Sequence, residues 1–132
     1  MVGLVIVSHS AKLAEGVVDA ARIMAADCPM AAAGGTDDGG CGTSLQKIMH
    51  AIGSVYSPDG VVLLADMGSA VMTAEMAIEE LGYRDVLLAD CPIAEGAIAA
   101  SIASVCGDDL EEVIRQAESS RDLRKCEVHA DI

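Results

Sequence analysis

Five short segments hold the residues able to do chemistry. Ser8–His9–Ser10 ends an apolar run, Leu4–Val7; the others are Gly34–Gly35–Thr36, Gly42–Thr43–Ser44, Asp66–Met67–Gly68–Ser69 and Asp90–Cys91–Pro92. A histidine held at the end of a buried strand can serve as a nucleophile without a strong base. The ordinary imidazole pKa of about 6.5 leaves much of the ring neutral near pH 7. A carboxylate such as Asp66, placed on one ring nitrogen, would fix the tautomer and leave the other nitrogen free to attack. Gly68–Ser69 and Gly42–Thr43–Ser44 each lead into a helical pattern. Free amides at helix N-termini bind anions, and glycine lets a ligand come close. A histidine, an orienting carboxylate and helix N-termini suit a phosphoryl group carried on nitrogen. No Walker A pattern accompanies them.

The elements that must position these groups read as strands alternating with helices. Val2–Val7, Gly60–Ala65 and Val86–Ala89 are apolar runs of strand length, and Met30–Ala33 is a weaker one because alanine is a poor strand former. Between them, helical spacing puts Leu13, Val17, Ala20, Ala21 and Met24 on one face, and Leu45, Ile48, Met49, Ile52, Val55 and Tyr56 on another. Thr43 or Ser44 caps the second helix. Ala70, Ala74, Ala77, Ile78 and Leu81 mark a third helix, ended by Gly82. Pro92 opens a fourth with Ile98, Ile102 and Val105 inward, and Asp109 with Glu112 forms a capping box for a fifth, with Leu110, Val113, Ile114 and Ala117 inward. The order implies an α/β fold, three layers α/β/α around a mainly parallel four-stranded sheet; if the first and third strands are neighbours, as in the expected order 2-1-3-4, His9 and Asp66 come from adjacent strands. In such sheets ligands bind beyond the carboxyl ends of the strands. All the chemical segments except Gly42–Thr43–Ser44 end strands at that edge. Taken singly, each is ordinary as a loop, cap or turn. Their convergence defines an anion-binding or phosphoryl-transfer site, with Ser8 and Ser10 serving the helix start and the phosphoryl oxygens.

The 132 residues suit one domain over about 1–120, followed by a tail, 121–132. In that tail Cys126, Val128, Ala130 and Ile132 alternate with Glu127, His129 and Asp131, the pattern of a fifth, antiparallel edge strand or of a tail without order. There is no Phe or Trp, so Ala, Val, Ile, Leu and Met must build the core, and the seven methionines read as core filling. The formal charge of −13 excludes nucleic acid as a partner and suits a basic one. Five cysteines without paired spacing read as reduced, buried thiols of a cytoplasmic protein, and no metal-ligand spacing stands out. No apolar run reaches membrane-spanning length, and the N-terminus lacks the features of a signal peptide. His50, His129 and the acidic Glu75, Glu79 and Glu80 read as solvated surface, and Glu95 as a cap of its own helix.

"VIVSHSAKLAEG", "AAGGTDDGGCGTS", "LLADMGSAVMTAEMAIE" and "CPIAEGA" occur in this order, and together they resemble the phosphotransferase subunits, DhaM, of the phosphoenolpyruvate-dependent dihydroxyacetone kinases. The resemblance covers residues 2 to about 118. It implies a mannose-type IIA fold, usually a homodimer, in which His9 accepts phosphate from the histidine-phosphorylated carrier HPr. His9 then passes it to ADP held with magnesium on the partner subunit DhaL, and the ATP formed phosphorylates dihydroxyacetone bound on DhaK. No cofactor binds the subunit itself. Asp66 takes the place of the family's orienting carboxylate, and Ser10, Gly35, Thr43, Gly68 and Ser69 are placed to receive the phosphoryl group. HPr is expected to be a separate protein, drawn by the acidic surface. Two other roles fit a phosphorylatable histidine on this fold: a sugar-specific mannose-family IIA component, and a regulatory module that senses phosphorylation without passing it on.

Overall fold

A computed structural model describes residues 1–127 of the chain. Among these, strands β1 (Gly3–Ser8), β2 (Met30–Gly34), β3 (Val61–Ala65) and β4 (Val86–Leu88) form one sheet of order β2-β1-β3-β4, parallel throughout. Helices α1 (Ala11–Met24), α2 (Leu45–Val55), α3 (Gly68–Leu81), α4 (Ile93–Val105) and α5 (Leu110–Ser119) cover both faces, and a single 3-10 turn, Ser120–Asp122, follows. β1 and β3 are central and buried on both sides, which is why they read as unbroken apolar runs.

Strand alternation divides the core. Leu4, Ile6, Val62 and Leu64 face α1, α4 and α5, whereas Val5, Val7, Leu63 and Ala65 face α2 and α3. Each fully buried Leu, Ile or Val contributes about 1.5–3 kcal/mol from leaving water, and twelve such side chains run through the sheet and α2. They hold the strand ends, and hence the site, in place.

Two helix faces differ from the sequence expectation. α1 buries Ala14, Val17, Val18 and Ala21, while Leu13 and Met24 are exposed. α4 buries Gly96, Ala97, Ala100, Ser101, Ala103 and Ser104, and leaves Ile98, Ile102 and Val105 only half-buried. The reason is close approach. Small residues let both helices lie low on a sheet already filled by Leu, Ile and Val, so the larger side chains turn outward. Methionine follows the same rule: Met30 is buried, but Met24, Met67, Met72 and Met76 are exposed rather than filling the core. Cys28 is buried and Cys91 half-buried; Cys41, Cys106 and Cys126 are exposed, against the expectation of buried thiols, and all five are unbridged.

Capping also differs in detail. Ser44, not Thr43, caps α2, accepting from the Lys47 amide at 3.1 Å. Asp109 accepts from the Glu112 amide at 2.9 Å, but the Glu112 carboxylate turns to Arg115 and Gln116 instead of closing a capping box. Glu95 stands in the first turn of α4 with Pro92 as its N-cap, and its carboxylate pairs with Lys125. Arg121 reaches Asp90 at 3.0 Å in the same region. Leu123–Glu127 has no regular structure, and the part of the expected edge strand in residues 128–132 lies outside the described residues.

Gly34 ends β2 directly beneath the start of α1. A Cβ there would stand 2.5 Å from the Ser10 carbonyl oxygen and 2.7 Å from the Ala11 Cα. Both are backbone atoms, so neither can swing aside. Gly34→Ala is therefore expected to cost about 1–3 kcal/mol, the usual penalty for overpacking, read as a lower urea midpoint with an unchanged slope. An unchanged midpoint would mean that the start of α1 yields freely.

Candidate functional site

The β1–β3 register pairs Val7 with Ala65. On the face that carries Leu4, Ile6, Val62 and Leu64, the next positions are Ser8 and Asp66. The amide of Asp66 still donates to the Val7 carbonyl at 3.2 Å, so the sheet holds the carboxylate in position. His9, one residue further on, leaves the strand and brings its ring back over Asp66: Nδ1 lies 3.0 Å from Oδ1. The His9 amide donates to Oδ2 at 3.2 Å, the Ser8 hydroxyl to Oδ2 at 2.7 Å, and the Met67 amide to Oδ1 at 2.8 Å.

Four donors thus converge on one carboxylate whose side chain is 9% exposed. Burial pushes the Asp66 carboxyl up. The hydrogen bonds from Ser8, the His9 amide, the His9 ring and the Met67 amide outweigh that and hold it below the usual carboxylate range. An ionised carboxylate only accepts hydrogen bonds, so Nδ1 must carry the proton. In the neutral ring Nε2 is then the free nucleophile. It points to Ser69, whose hydroxyl oxygen lies 2.5 Å away and donates to it.

Ser69 and Gly68 form the first turn of α3. The amides of Ala70 and Val71 reach back to the Met67 carbonyl at 2.8 and 3.2 Å, leaving those of Gly68 and Ser69 at the mouth of the helix. The Nε2 lone pair therefore faces a partly positive helix end, where phosphoryl oxygens are favoured.

The remaining expected residues flank this centre with their groups engaged. Ser10 caps α1, its hydroxyl accepting from the Leu13 amide at 3.2 Å. Gly35, at φ 76°, donates its amide to the Ser8 carbonyl at 3.1 Å; its left-handed backbone turns the chain from β2 into the loop, a conformation that favours glycine. The Thr43 hydroxyl bonds the Thr73 hydroxyl at 2.9 Å, and Thr73 donates to the Ser69 carbonyl at 2.7 Å. The Gly42 amide donates to the His9 carbonyl at 2.9 Å, strapping the loop of residues 35–44 against the histidine. Ser8 is fully buried, so it is placed to serve Asp66 and not a phosphoryl oxygen.

His9, Asp66, Ser69 and Gly68 thus come together, while Ser10, Gly35 and Thr43 act on the frame around them. Sequence reasoning missed Thr73 as a tether between the loop and α3, and missed the contact of Ser8 with Asp66. Thr73 lies within the quoted segment "LLADMGSAVMTAEMAIE", but in mid-helix, where nothing in the spacing singles out one hydroxyl. Ser8 could have been found by continuing the strand register one step.

The site lies at an open surface. His9 is 27% exposed. Neither the cleft of about 430 Å³ at the β2 edge nor that of about 450 Å³ beside Asp66 is lined by it. Leu13, in the first turn of α1, and Met67, the N-cap of α3, are exposed at the starts of the two helices that flank it. Among the described residues no group of three or more His, Cys, Asp or Glu side chains is arranged to hold a metal ion, and no helix is long and apolar enough to cross a membrane.

The parallel α/β sheet of order 2-1-3-4 is the fold of a known class. The family model EIIA-man, described as "PTS system fructose IIA component", matches residues 3–114, and the chain belongs to this mannose-type IIA family of the phosphotransferase system. Curated relatives include phosphoryl donor subunits, DhaM, of phosphoenolpyruvate-dependent dihydroxyacetone kinases. One from Listeria innocua is 41% identical over 85% of this chain and 88% of its own length. Another, from Escherichia coli K12, is 41% identical over 95% of this chain but only 28% of its own length, so the chain spans little more than a quarter of that longer protein. The mannose/sorbose-specific IIA subunit of Enterococcus faecalis, 19% identical, shares the fold with a TM-score of 0.61 over 96% of each chain.

Proposed function

We propose that this chain is the phosphohistidine carrier of a dihydroxyacetone kinase system, working in the cytoplasm as a homodimer. The observation that carries the reading is the Asp66 carboxylate on His9 Nδ1, which leaves Nε2 as the nucleophile at the mouth of α3. Nε2 attacks the phosphorus of the phosphohistidine on HPr; the N–P bond of the donor breaks as the new one forms. The His9 ring becomes a cation when Nε2 is phosphorylated, and Asp66, still hydrogen-bonded to Nδ1–H, balances that charge. Ser69 must rotate off Nε2 to make room. Its hydroxyl then points at the incoming oxygens, together with the amides of Gly68 and Ser69.

In the second half-reaction an oxygen of the ADP β-phosphate attacks, the Nε2–P bond breaks and His9 returns to its neutral state. ADP and magnesium belong to DhaL, and the ATP formed there serves DhaK. The open setting of His9, with Leu13 and Met67 beside it, supports protein partners that present the phosphoryl group or its acceptor, rather than a small substrate enclosed by this chain.

The test is a relay assembled from phosphoenolpyruvate, enzyme I, HPr, this chain and DhaL loaded with ADP and magnesium. The chain is expected to take up acid-labile label and to lose it when DhaL is added. Label that persists in the presence of DhaL would replace the carrier by a phosphorylation sensor. Label handed instead to a sugar-specific component would favour a sugar IIA role.

A further inference from the structure

We propose that Ser8 is a positioning residue for phosphoryl transfer: its hydroxyl sets the Asp66 carboxylate in the orientation that keeps the proton of His9 on Nδ1. The inference rests on the reading of His9 as the phosphoryl acceptor and adds a role that the accepting atoms do not themselves reveal.

Ser8 is out of place by composition. It ends a row of wholly apolar inward side chains, Leu4 and Ile6 on its own strand and Val62 and Leu64 on the neighbour, and is as fully buried as they are. A hydroxyl at such a position must find a partner. It accepts from the Ser10 amide at 3.0 Å, so its single hydrogen is directed elsewhere, to Asp66 Oδ2 at 2.7 Å. That is the shortest of the four hydrogen bonds to the carboxylate. Among the described residues the only other donor to Oδ2 is the His9 amide, at 3.2 Å. Oδ1 faces the ring and the Met67 amide.

The two carboxylate oxygens thus have separate tasks: Oδ2 is pinned by Ser8, and Oδ1 is thereby presented to Nδ1. Without the hydroxyl, the carboxylate is free to turn about its Cβ–Cγ bond and to recruit water in place of Ser8. The ring then loses its preference for the Nδ1–H form. Hydrogen-bond partners that orient a histidine's neighbours in metal sites are worth about 10- to 100-fold, and an effect of the same order is expected here.

The experiment uses the whole chain with ¹⁵N-labelled histidine, the His9 signals being assigned by their loss in His9→Gln. Wild type is expected to show a neutral ring protonated at Nδ1 and bare at Nε2. Ser8→Ala is expected to show a substantial Nε2–H population and a maximal rate of phosphoryl acceptance from phospho-HPr about 10-fold lower, at an unchanged half-saturating HPr concentration. Ser8→Thr, which restores the hydroxyl, is expected to recover both readouts. A Ser8→Ala protein with the wild-type tautomer and rate would overturn the proposal. So would a Ser8→Thr protein as perturbed as Ser8→Ala, because packing would then be the cause. Should Ser8→Ala fail to fold, Ser8→Cys keeps the shape with a far weaker donor and is read in the same two ways. The tautomer is measured without any phosphoryl donor. A wild type that accepts no phosphate would therefore defeat the carrier reading while still leaving the role of Ser8 to be decided by the ring spectra.

Discussion

His9→Gln is expected to abolish phosphoryl acceptance, with incorporation from phospho-HPr falling to background. The reason is chemical: on the proposed mechanism Nε2 is the atom that forms the new bond, and no group described beside it offers an equivalent nucleophile. The Ser69 hydroxyl bonds the His9 ring that the substitution removes, and the Thr73 hydrogen is committed to the Ser69 carbonyl. His50 stands exposed on α2, lining the cleft at the β2 edge and not the strand-end site. The fold should survive the change, since His9 lies outside the core and its backbone bonds to Gly42 and Asp66 remain. Circular dichroism and the urea midpoint are therefore expected to stay close to wild type. Acid-labile label on the folded variant would move the acceptor to another residue and end the assignment.

Asp66→Asn is expected to be the more informative of the two large effects. The amide keeps the size of the carboxylate, but the hydroxyl of Ser8 and the amides of His9 and Met67 all donate toward it. Its NH2 group must turn toward some of these donors or toward His9 Nδ1. Facing Nδ1 it favours the tautomer protonated at Nε2, the state that cannot attack. It also removes the negative charge that balances the phosphorylated ring. We expect phosphoryl acceptance to slow about 10²- to 10⁴-fold, the range spanned by general acid–base assistance and by a misplaced tautomer. A rate within twofold of wild type would reduce Asp66 to a backbone cap.

The pH signature has a definite sign. The Asp66 carboxyl is held below its ordinary range in the folded chain. Its stabilising contribution is therefore complete above the unfolded carboxylate pKa of about 3.9 and is lost as the pH falls through the lower folded value. Asp66→Asn should flatten the pH dependence of stability in that acidic window, read from urea midpoints across it.

How much of the fold and site is legible in the sequence depends on the kind of signal. The central strands are legible because Leu4–Val7 and Val61–Ala65 are buried on both faces, and an uninterrupted apolar run of that length between turn residues fits a doubly covered strand. Right-handed crossovers set the face each connecting helix takes but leave the strand order open. His9 and Asp66 are legible as polar ends to those runs. The helix faces of α1 and α4 are not. Periodicity places the largest side chains inside, but close packing on a sheet of Leu, Ile and Val selects Ala, Gly and Ser. In α4 nearly every position is apolar or small, so periodicity alone does not choose a face. Contacts made by single hydroxyls are legible only to within a register. One step along β1 separates a serine facing solvent from one locked on a carboxylate, and Thr43 finds Thr73 only after α2 and α3 have packed on the same side of the sheet.

The ring and the carboxylate of the site are 57 residues apart in sequence. Closing a loop of that length costs conformational entropy that grows as (3/2)RT ln n, and here it is met by the pairing of the two central strands rather than by the single hydrogen bond between ring and carboxylate. The nucleophile therefore has no local precursor. A nascent or partly unfolded chain has His9 but not its tautomer, and acquires reactivity only when β1 and β3 dock. On the proposed function, the ability to accept phosphate is a report on global folding, and a misfolded copy would sit silent in the relay instead of draining it.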